Sequence, residues 1–237
     1  MILTPDRIHE EELLDAGAGS DDDVAANLSD LRRINRLLGG TRVVRKALES
    51  SLDGSAPEML SLLDVGTGSA DIPAEIARRW TRRGTRGTFV SLDISERNLR
   101  VARSRLGVDP AVTLVRADAM QLPFATGSFD FVIASQFLHH FTNNEVVRLL
   151  VEFARVARRA VVISDLVRNL VPYWFIRMTG PMLTTSFLTR NDGPLSVLRA
   201  FTAPELRELA TEAGLTHSTV ERVFPYRLML VASVADH

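Results

Sequence analysis

Cysteine is absent from the chain, which excludes disulfides, thiolate metal sites and cysteine nucleophiles. Lysine is nearly absent too: Lys46 is the only one, and basic charge rests on arginines distributed along the sequence. The formal net charge is −1. A balance of that kind exerts no general pull on nucleic acid or acidic membranes, so no nucleic-acid partner is expected. No apolar run reaches the roughly 18 residues of a membrane span, and stable membrane insertion is not expected. Met1–Gly19 is polar and acidic rather than signal-like, so a cytoplasmic protein is expected. Internal repeats and low-complexity tracts are also missing. What is present is ordinary for a globular fold: 237 residues, 46% hydrophobic and 24% charged. That length fits one α/β domain and a small accessory element, as a monomer or homodimer.

Residues 1–57 read as an N-terminal helical lid. Met1–Ser20 is expected to be loosely ordered. Asp21-Asp22-Asp23 then opens a helix running to Leu38, with Val24, Leu28, Leu31, Ile34 and Leu38 on one face. Gly39-Gly40 ends it, a second helix spans Thr41–Leu52, and Asp53–Pro57 reads as a linker. From residue 58 strands and helices alternate. Strands are expected at Met59–Val65, Thr88–Leu92, Thr113–Arg116, Phe129–Ala134 and Ala160–Ser164, and helices at Asp71–Arg82, Glu96–Leu106 and Asn143–Ala157. Thr142 and Glu145 form a capping box for the last of these. Short apolar strands separated by helices imply a doubly wound, mostly parallel sheet. The alternation breaks at about 167–200, where Asn191-Asp192-Gly193-Pro194 is a turn signal, and the segment reads as a cap inserted after the fifth strand. A helix at Ala203–Ala213 follows, then strands at Ser218–Val223 and Tyr226–Val234, whose short join predicts an antiparallel terminal pair and seven strands in all.

The stretch that carries most chemistry is Leu62-Leu63-Asp64-Val65-Gly66-Thr67-Gly68-Ser69-Ala70-Asp71. A strand enters a glycine turn and a helix opens directly after it, so a ligand can approach backbone N–H groups closely. The dinucleotide fingerprint wants a third glycine where Asp71 stands. A carboxylate there disfavours a phosphate and suits a ligand carrying positive charge, of which S-adenosylmethionine is one. Other strand ends also carry acids: Asp93 ends the second, Asp118 follows the third, and Asp165 ends the fifth. Asp93 lies 27 positions after Gly66, near the interval at which a carboxylate grips ribose hydroxyls. Asp118 can accept from an adenine amino group. Each acid alone reads equally as a helix N-cap; together they share one sheet edge with the glycine turn.

These segments, with Ser91-Leu92-Asp93-Ile94-Ser95, Ala117-Asp118-Ala119, Leu122-Pro123-Phe124, Ser128-Phe129-Asp130, Leu138-His139-His140-Phe141 and Arg155-Val156-Ala157, resemble the class I S-adenosylmethionine-dependent methyltransferases. The likeness runs unbroken over about Met59–Leu166. It implies a Rossmann-like methyltransferase fold with S-adenosyl-L-methionine as cofactor. It implies that Asp64, Gly66, Thr67 and Gly68 shape the methionine pocket, Asp93 with Ile94 holds the ribose, Asp118 with Ala119 holds the adenine, and Ser135 lines the pocket. Asn35-Arg36-Leu37-Leu38-Gly39-Gly40 is similar to the lid of ubiquinone/menaquinone C-methyltransferases, where Arg36 or Arg33 would meet the methionine carboxylate; both also read as a solvated helix face. Where relatives carry Pro-Gly-Gly before the fifth strand, this chain has Arg158-Arg159-Ala160, read as a loop.

Methyl transfer from a sulfonium needs alignment of the acceptor and exclusion of water. For a hydroxyl acceptor a base helps, and His139 and His140 stand just beyond the fourth strand. Neighbours on a helical turn diverge, so the two are not expected to share a task, and His139 is favoured; packing against Phe137 and Phe141 is its bland alternative. Asp165, Asp192 and Asn191 are conceivable oxygen ligands, but they form no tight cluster and no metal is expected. In the cap, Trp174, Met178 and Phe187 are expected to line an apolar acceptor pocket. The expected acceptor is a small lipophilic phenol, quinol or polyketide-like molecule of secondary metabolism, O-methylated, with C-methylation of a quinol-like ring as the alternative. A cofactor-binding module without turnover is the reading from another class.

Overall fold

Strands whose central residues are apolar on both sides must be covered on both faces, and the alternation of side chains here feeds two separate cores. The computed structural model describes residues 3–52, 57–107 and 112–234. The linker read at Asp53–Pro57 falls, apart from Pro57, outside them. Seven strands, β1 (Met59–Val65), β2 (Arg86–Asp93), β3 (Val112–Arg116), β4 (Phe129–Ser135), β5 (Ala157–Leu166), β6 (Ser218–Val223) and β7 (Arg227–Ser233), form one sheet. Their spatial order is β3-β2-β1-β4-β5-β7-β6. The first five are mutually parallel, and β7 runs antiparallel to both β5 and β6. Leu63, Val132 and Ile163 face a core closed by α5 (Asn143–Val156) and α8 (Ala203–Glu212). Their chain neighbours Leu62, Phe131 and Val162 face the other core, closed by α2 (Gly40–Ser50) and α3 (Asp71–Thr81). A third, smaller cluster joins Val24 and Leu28 of α1 (Asp21–Leu37) to Leu188 of α7 (Phe187–Arg199), with Val101 of α4 (Glu96–Leu106) beside it. α1 therefore lies over the carboxyl edge of the sheet, with Leu28 against the glycine turn at Gly68.

Three expectations are corrected. The segment before α1 is not loose, although it forms no helix or strand. Its Ile8 N–H donates to Leu198 O, Arg168 Nε reaches Pro5 O at 2.9 Å, and Arg199 Nη1 reaches Glu10 O at 2.6 Å. Glu12 is buried. The Asn191–Pro194 turn signal lies inside α7, which continues an insertion made of two helices, α6 (Leu170–Leu183) and α7. Tertiary bonds override the local preference: both Asp192 oxygens accept backbone N–H groups, from Leu13 at 2.9 Å and Leu14 at 3.1 Å. Finally, Arg158-Arg159-Ala160 is strand, because α5 passes into β5 with no intervening loop and both arginines pair with Asp130.

Asp192 is thus a clasp for the N-terminal segment. Asp192→Ala strands two backbone donors and is expected to lower unfolding free energy by about 2 kcal/mol. Urea denaturation measures it; an unchanged midpoint would show the clasp to be idle.

Candidate active site

The turn after β1 is fastened to the end of β2. Gly66 and Thr67 N–H both donate to Leu92 O, and Gly68 N–H donates to Asp93 Oδ2 at 2.9 Å. Gly66 and Gly68 have φ of +69° and +53°, a region that suits glycine. At Gly66 a Cβ would stand 2.2 Å from the Phe137 ring, so the missing side chain makes room for Phe137 beyond β4. Asp93 is also held by the Ser95 N–H at 2.9 Å. Burial pushes its carboxyl up, offset in part by those two N–H donors.

Asp64 is buried beneath the turn and accepts from Thr67 Oγ1 at 2.5 Å. Burial first, then the negative neighbours Asp71 and Asp93, push it up to about 8. Three carboxyl groups therefore crowd one turn, and no ion pair within 4 Å neutralises any of them among the described residues, although Arg105 acts on Asp71 from further off. A positively charged ligand relieves that crowding, which is the fit expected for a sulfonium and an ammonium. Ser135, at the end of β4, has a buried Oγ without a hydrogen-bond partner, a second group awaiting one. The other expected cofactor residues lie further out along the same edge. Ala119 is buried, Ile94 is 64% exposed, and exposed Asp118 accepts from the Met120 N–H. Arg36 is exposed in the last turn of α1, while Arg33 bonds Asp30 and Leu183 O.

Beyond β4 the chain makes a short 3-10 turn, Leu138–His140. His139 is buried; its Nδ1 lies 2.7 Å from Asp165 Oδ1, and its Nε2 lies 3.6 Å from Glu12 Oε1. His140 Nδ1 lies 2.6 Å from Asp15 Oδ2. The expectation that the two imidazoles diverge is corrected: their ring centroids are 4.2 Å apart. Carboxylates of the N-terminal segment draw both rings to one side, against the divergence of the turn's backbone. Two arginines fix that backbone: Arg199 donates to the carbonyls of His139 and His140, and Arg7 to that of Phe141. Burial disfavours the Asp165 charge, but His139 and the Leu166 N–H outweigh it and hold the carboxyl low. Burial pushes Glu12 up to about 7.

Sequence reasoning missed Glu12, Asp15, Arg7 and Arg199. It did name Asp165 and Asp192, but as conceivable metal ligands; the structure engages them with His139 and with the Leu13 and Leu14 amides. Glu12, His139 and His140 together offer three ligand atoms within 4.8 Å of one another. The expected acceptor residues Trp174 and Met178 are not enclosed: they are 53% and 73% exposed on the outward stripe of α6. Phe187 opens α7, with its ring against Gly19.

Residues 62–160 match the family described as a methyltransferase domain. The chain is 35% identical over 129 residues to a demethylmenaquinone methyltransferase of Thermobifida fusca, covering 53% of this chain and 50% of that protein. It is 35% identical over 133 residues to the methyltransferase GfsG of Streptomyces halstedii, covering 54% and 44%. The chain thus spans about half the length of these relatives. Among solved structures, human N-acetylserotonin methyltransferase in complex with S-adenosylmethionine superposes with a TM-score of 0.64 at 13% identity, covering 94% of this chain and 62% of that one. An S-adenosylmethionine-dependent methyltransferase of Aquifex aeolicus gives 0.58 at 18% identity, covering 86% and 98%. At such identities the structural likeness is one of fold. Strand order, glycine turn and matched segment together define a Rossmann-like methyltransferase fold. Residues 62–160 of this chain are similar to a methyltransferase domain.

Proposed function

We propose that the chain transfers a methyl group from S-adenosylmethionine to a small lipophilic acceptor, with O-methylation of a phenol, quinol or polyketide-like hydroxyl favoured over C-methylation of a quinol-like ring. The observation that carries the reading is the Asp165–His139 pair directly beyond β4. An ionised Asp165 accepts a hydrogen bond from Nδ1–H, which leaves the lone pair on Nε2, the nitrogen 3.6 Å from Glu12 Oε1, to take the proton of an acceptor hydroxyl that displaces Glu12. The imidazolium so formed is held by Asp165, and Asp15 orients His140 beside it. Bound S-adenosylmethionine supplies an electrophilic methyl group. Asp64, Gly66, Thr67, Gly68, Asp93, Ile94, Asp118, Ala119 and Ser135 would hold it, with Arg36 on its carboxylate. The name of one relative, a demethylmenaquinone methyltransferase, supports a small lipophilic acceptor.

Incubation with methyl-labelled S-adenosylmethionine and a panel of phenols, quinols, RNA and peptides tests the reading, with mass spectrometry locating the methyl group. Labelled phenol or quinol is expected; binding of the cofactor with turnover of nothing would make the chain a binding module instead. One observation favours a second reading of the acceptor side: the Glu12–His139–His140 group has the make-up of a divalent-metal site. Turnover that a chelator abolishes and added metal restores would replace the base by a metal.

Asp64 makes cofactor binding pH-dependent. A cation bound beside it favours the ionised carboxyl, so binding below about pH 8 releases a proton. Affinity is expected to rise as pH climbs from 6 toward about 8, and Asp64→Asn to flatten the rise; calorimetry in buffers of different ionisation enthalpy reads it. Stability runs the opposite way. The raised carboxyl stabilises the fold at low pH, and that contribution fades between about 4 and about 8.

A further inference from the structure

The outward stripe of α6 inverts the usual rule for a surface helix. Val171, Trp174, Phe175, Met178 and Met182 recur at three- and four-residue spacing, and all five are exposed, Met182 by 86%. Leu183 and Phe187 extend the stripe toward α7, and Leu37 and Leu38 lie exposed at the end of α1. A contiguous apolar surface of this size marks an interaction site.

Two sequence stretches beside it are poor in acids, although Arg33 pairs with Asp30 and Arg45 with Glu49. No aspartate or glutamate occurs from Leu166 to Asn191, nor from Leu31 to Leu48, although the whole chain is nearly neutral. The second stretch carries six basic residues, Arg32, Arg33, Arg36, Arg42, Arg45 and Lys46. The fold brings the two stretches together, because the Arg33 guanidinium donates to Leu183 O at the end of α6. The acid nearest this contact, Asp30, is buried and already paired with Arg33. Arg32, Arg36 and Arg177 are exposed. Sequence alone shows only sparse basic residues in the insertion; the arginines of α1 supply the rest.

We infer that the α6 stripe, flanked by the arginines of α1, is a docking surface for an anionic lipid bilayer. Apolar side chains with a tryptophan enter the boundary between headgroups and acyl chains while arginines meet lipid phosphates. The inference rests on the lipophilic-acceptor reading for its purpose, since α6 begins just beyond β5, which carries Asp165. It does not need that reading for its test.

The test is co-sedimentation with vesicles of phosphatidylcholine alone or mixed with phosphatidylglycerol, without cofactor or acceptor. The parent is expected to bind mixed vesicles at least tenfold more strongly than neutral ones, and less as salt is raised. Phe175→Asp with Met182→Asp is expected to cut that binding at least tenfold, as is Arg32→Glu with Arg177→Glu. Both double variants should keep the parent's circular dichroism melting curve, since all four side chains face solvent. Absence of sedimentation, or equal binding to both vesicles, overturns the proposal. So does a shift from dimer to monomer by light scattering in the Phe175/Met182 variant with vesicle binding intact, which would make the stripe a self-association face. Vesicle binding without methyl transfer would sink the acceptor reading and leave the surface standing.

Discussion

Gly66→Ala is expected to weaken S-adenosylmethionine binding at least about 100-fold, about 2.7 kcal/mol. Two costs act at once. The position has φ of +69°, where a Cβ meets its own backbone. That Cβ would also stand 2.2 Å from Cδ2 and 2.7 Å from Cε2 of Phe137. The ring has little freedom to retreat: it packs edge-on against Phe141 at 4.8 Å and near Phe153 at 6.5 Å. Either the turn or the Phe137 segment must move, and Phe137 lies between Ser135 and His139. The damage therefore reaches both the cofactor side and the acceptor side. Gly68→Ala is the internal control. Its φ of +53° carries the backbone cost, but its Cβ would meet only Leu28 Cδ2, at 3.4 Å. A smaller loss is expected there. Isothermal titration of both variants decides the matter, and parental affinity in Gly66→Ala would show that the turn is not the cofactor cradle.

The second large effect concerns His139. Removing a general base from methyl transfer to a hydroxyl is expected to lower kcat about 10²–10⁴-fold. His139→Gln keeps a polar side chain of similar reach and should leave cofactor affinity near the parent value. Asp165→Asn is the sharper probe. An amide can donate to Nδ1, which moves the imidazole proton to Nε2 and removes the lone pair that the proposed mechanism uses. A loss similar to that of His139→Gln is expected, with little change in KM. Glu12→Gln, which leaves the tautomer alone, should cost less. Full activity in His139→Gln would assign the pair to packing, or would point to an acceptor carbon that needs no base from this residue.

The sheet was legible because its signals are local and repeated. Carboxylates or small residues stand at the ends of β2 and β4 and just beyond β1 and β3, and Asp64, Gly66 and Asp93 fall at intervals that the β-α-β geometry dictates. Helix α5 announced itself through its capping box, Thr142 with Glu145, which the structure shows; the second box, Thr202 with Glu205 on α8, appears only in the structure. The acceptor side was not legible in the same way. Residues 3–20 have no period, and Glu12 and Asp15 look like a solvated acidic tail; only their burial against His139 and His140 gives them a role. The one available signal was the excess of acids there over nearby bases. Asn191–Pro194 misled because turn preference is a local energy, whereas two bonds to Asp192 and burial of Pro194 and Leu195 are tertiary ones. Trp174 and Met178 misled for the opposite reason: apolar character was taken to mean enclosure.

The clasped segment before α1 also fixes an order of assembly. Ile8, Glu10 and Leu13 leave the ribosome long before Leu198, Arg199 and Asp192, their partners, have been made. Glu12 and Asp15 precede the histidines in synthesis, but the segment that carries them gains its α7 anchors only once Asp192, Leu198 and Arg199 have been made. The parallel strands can therefore pair first, while the acid–imidazole grouping is clasped only when α7 has emerged, ahead of α8, β6 and β7.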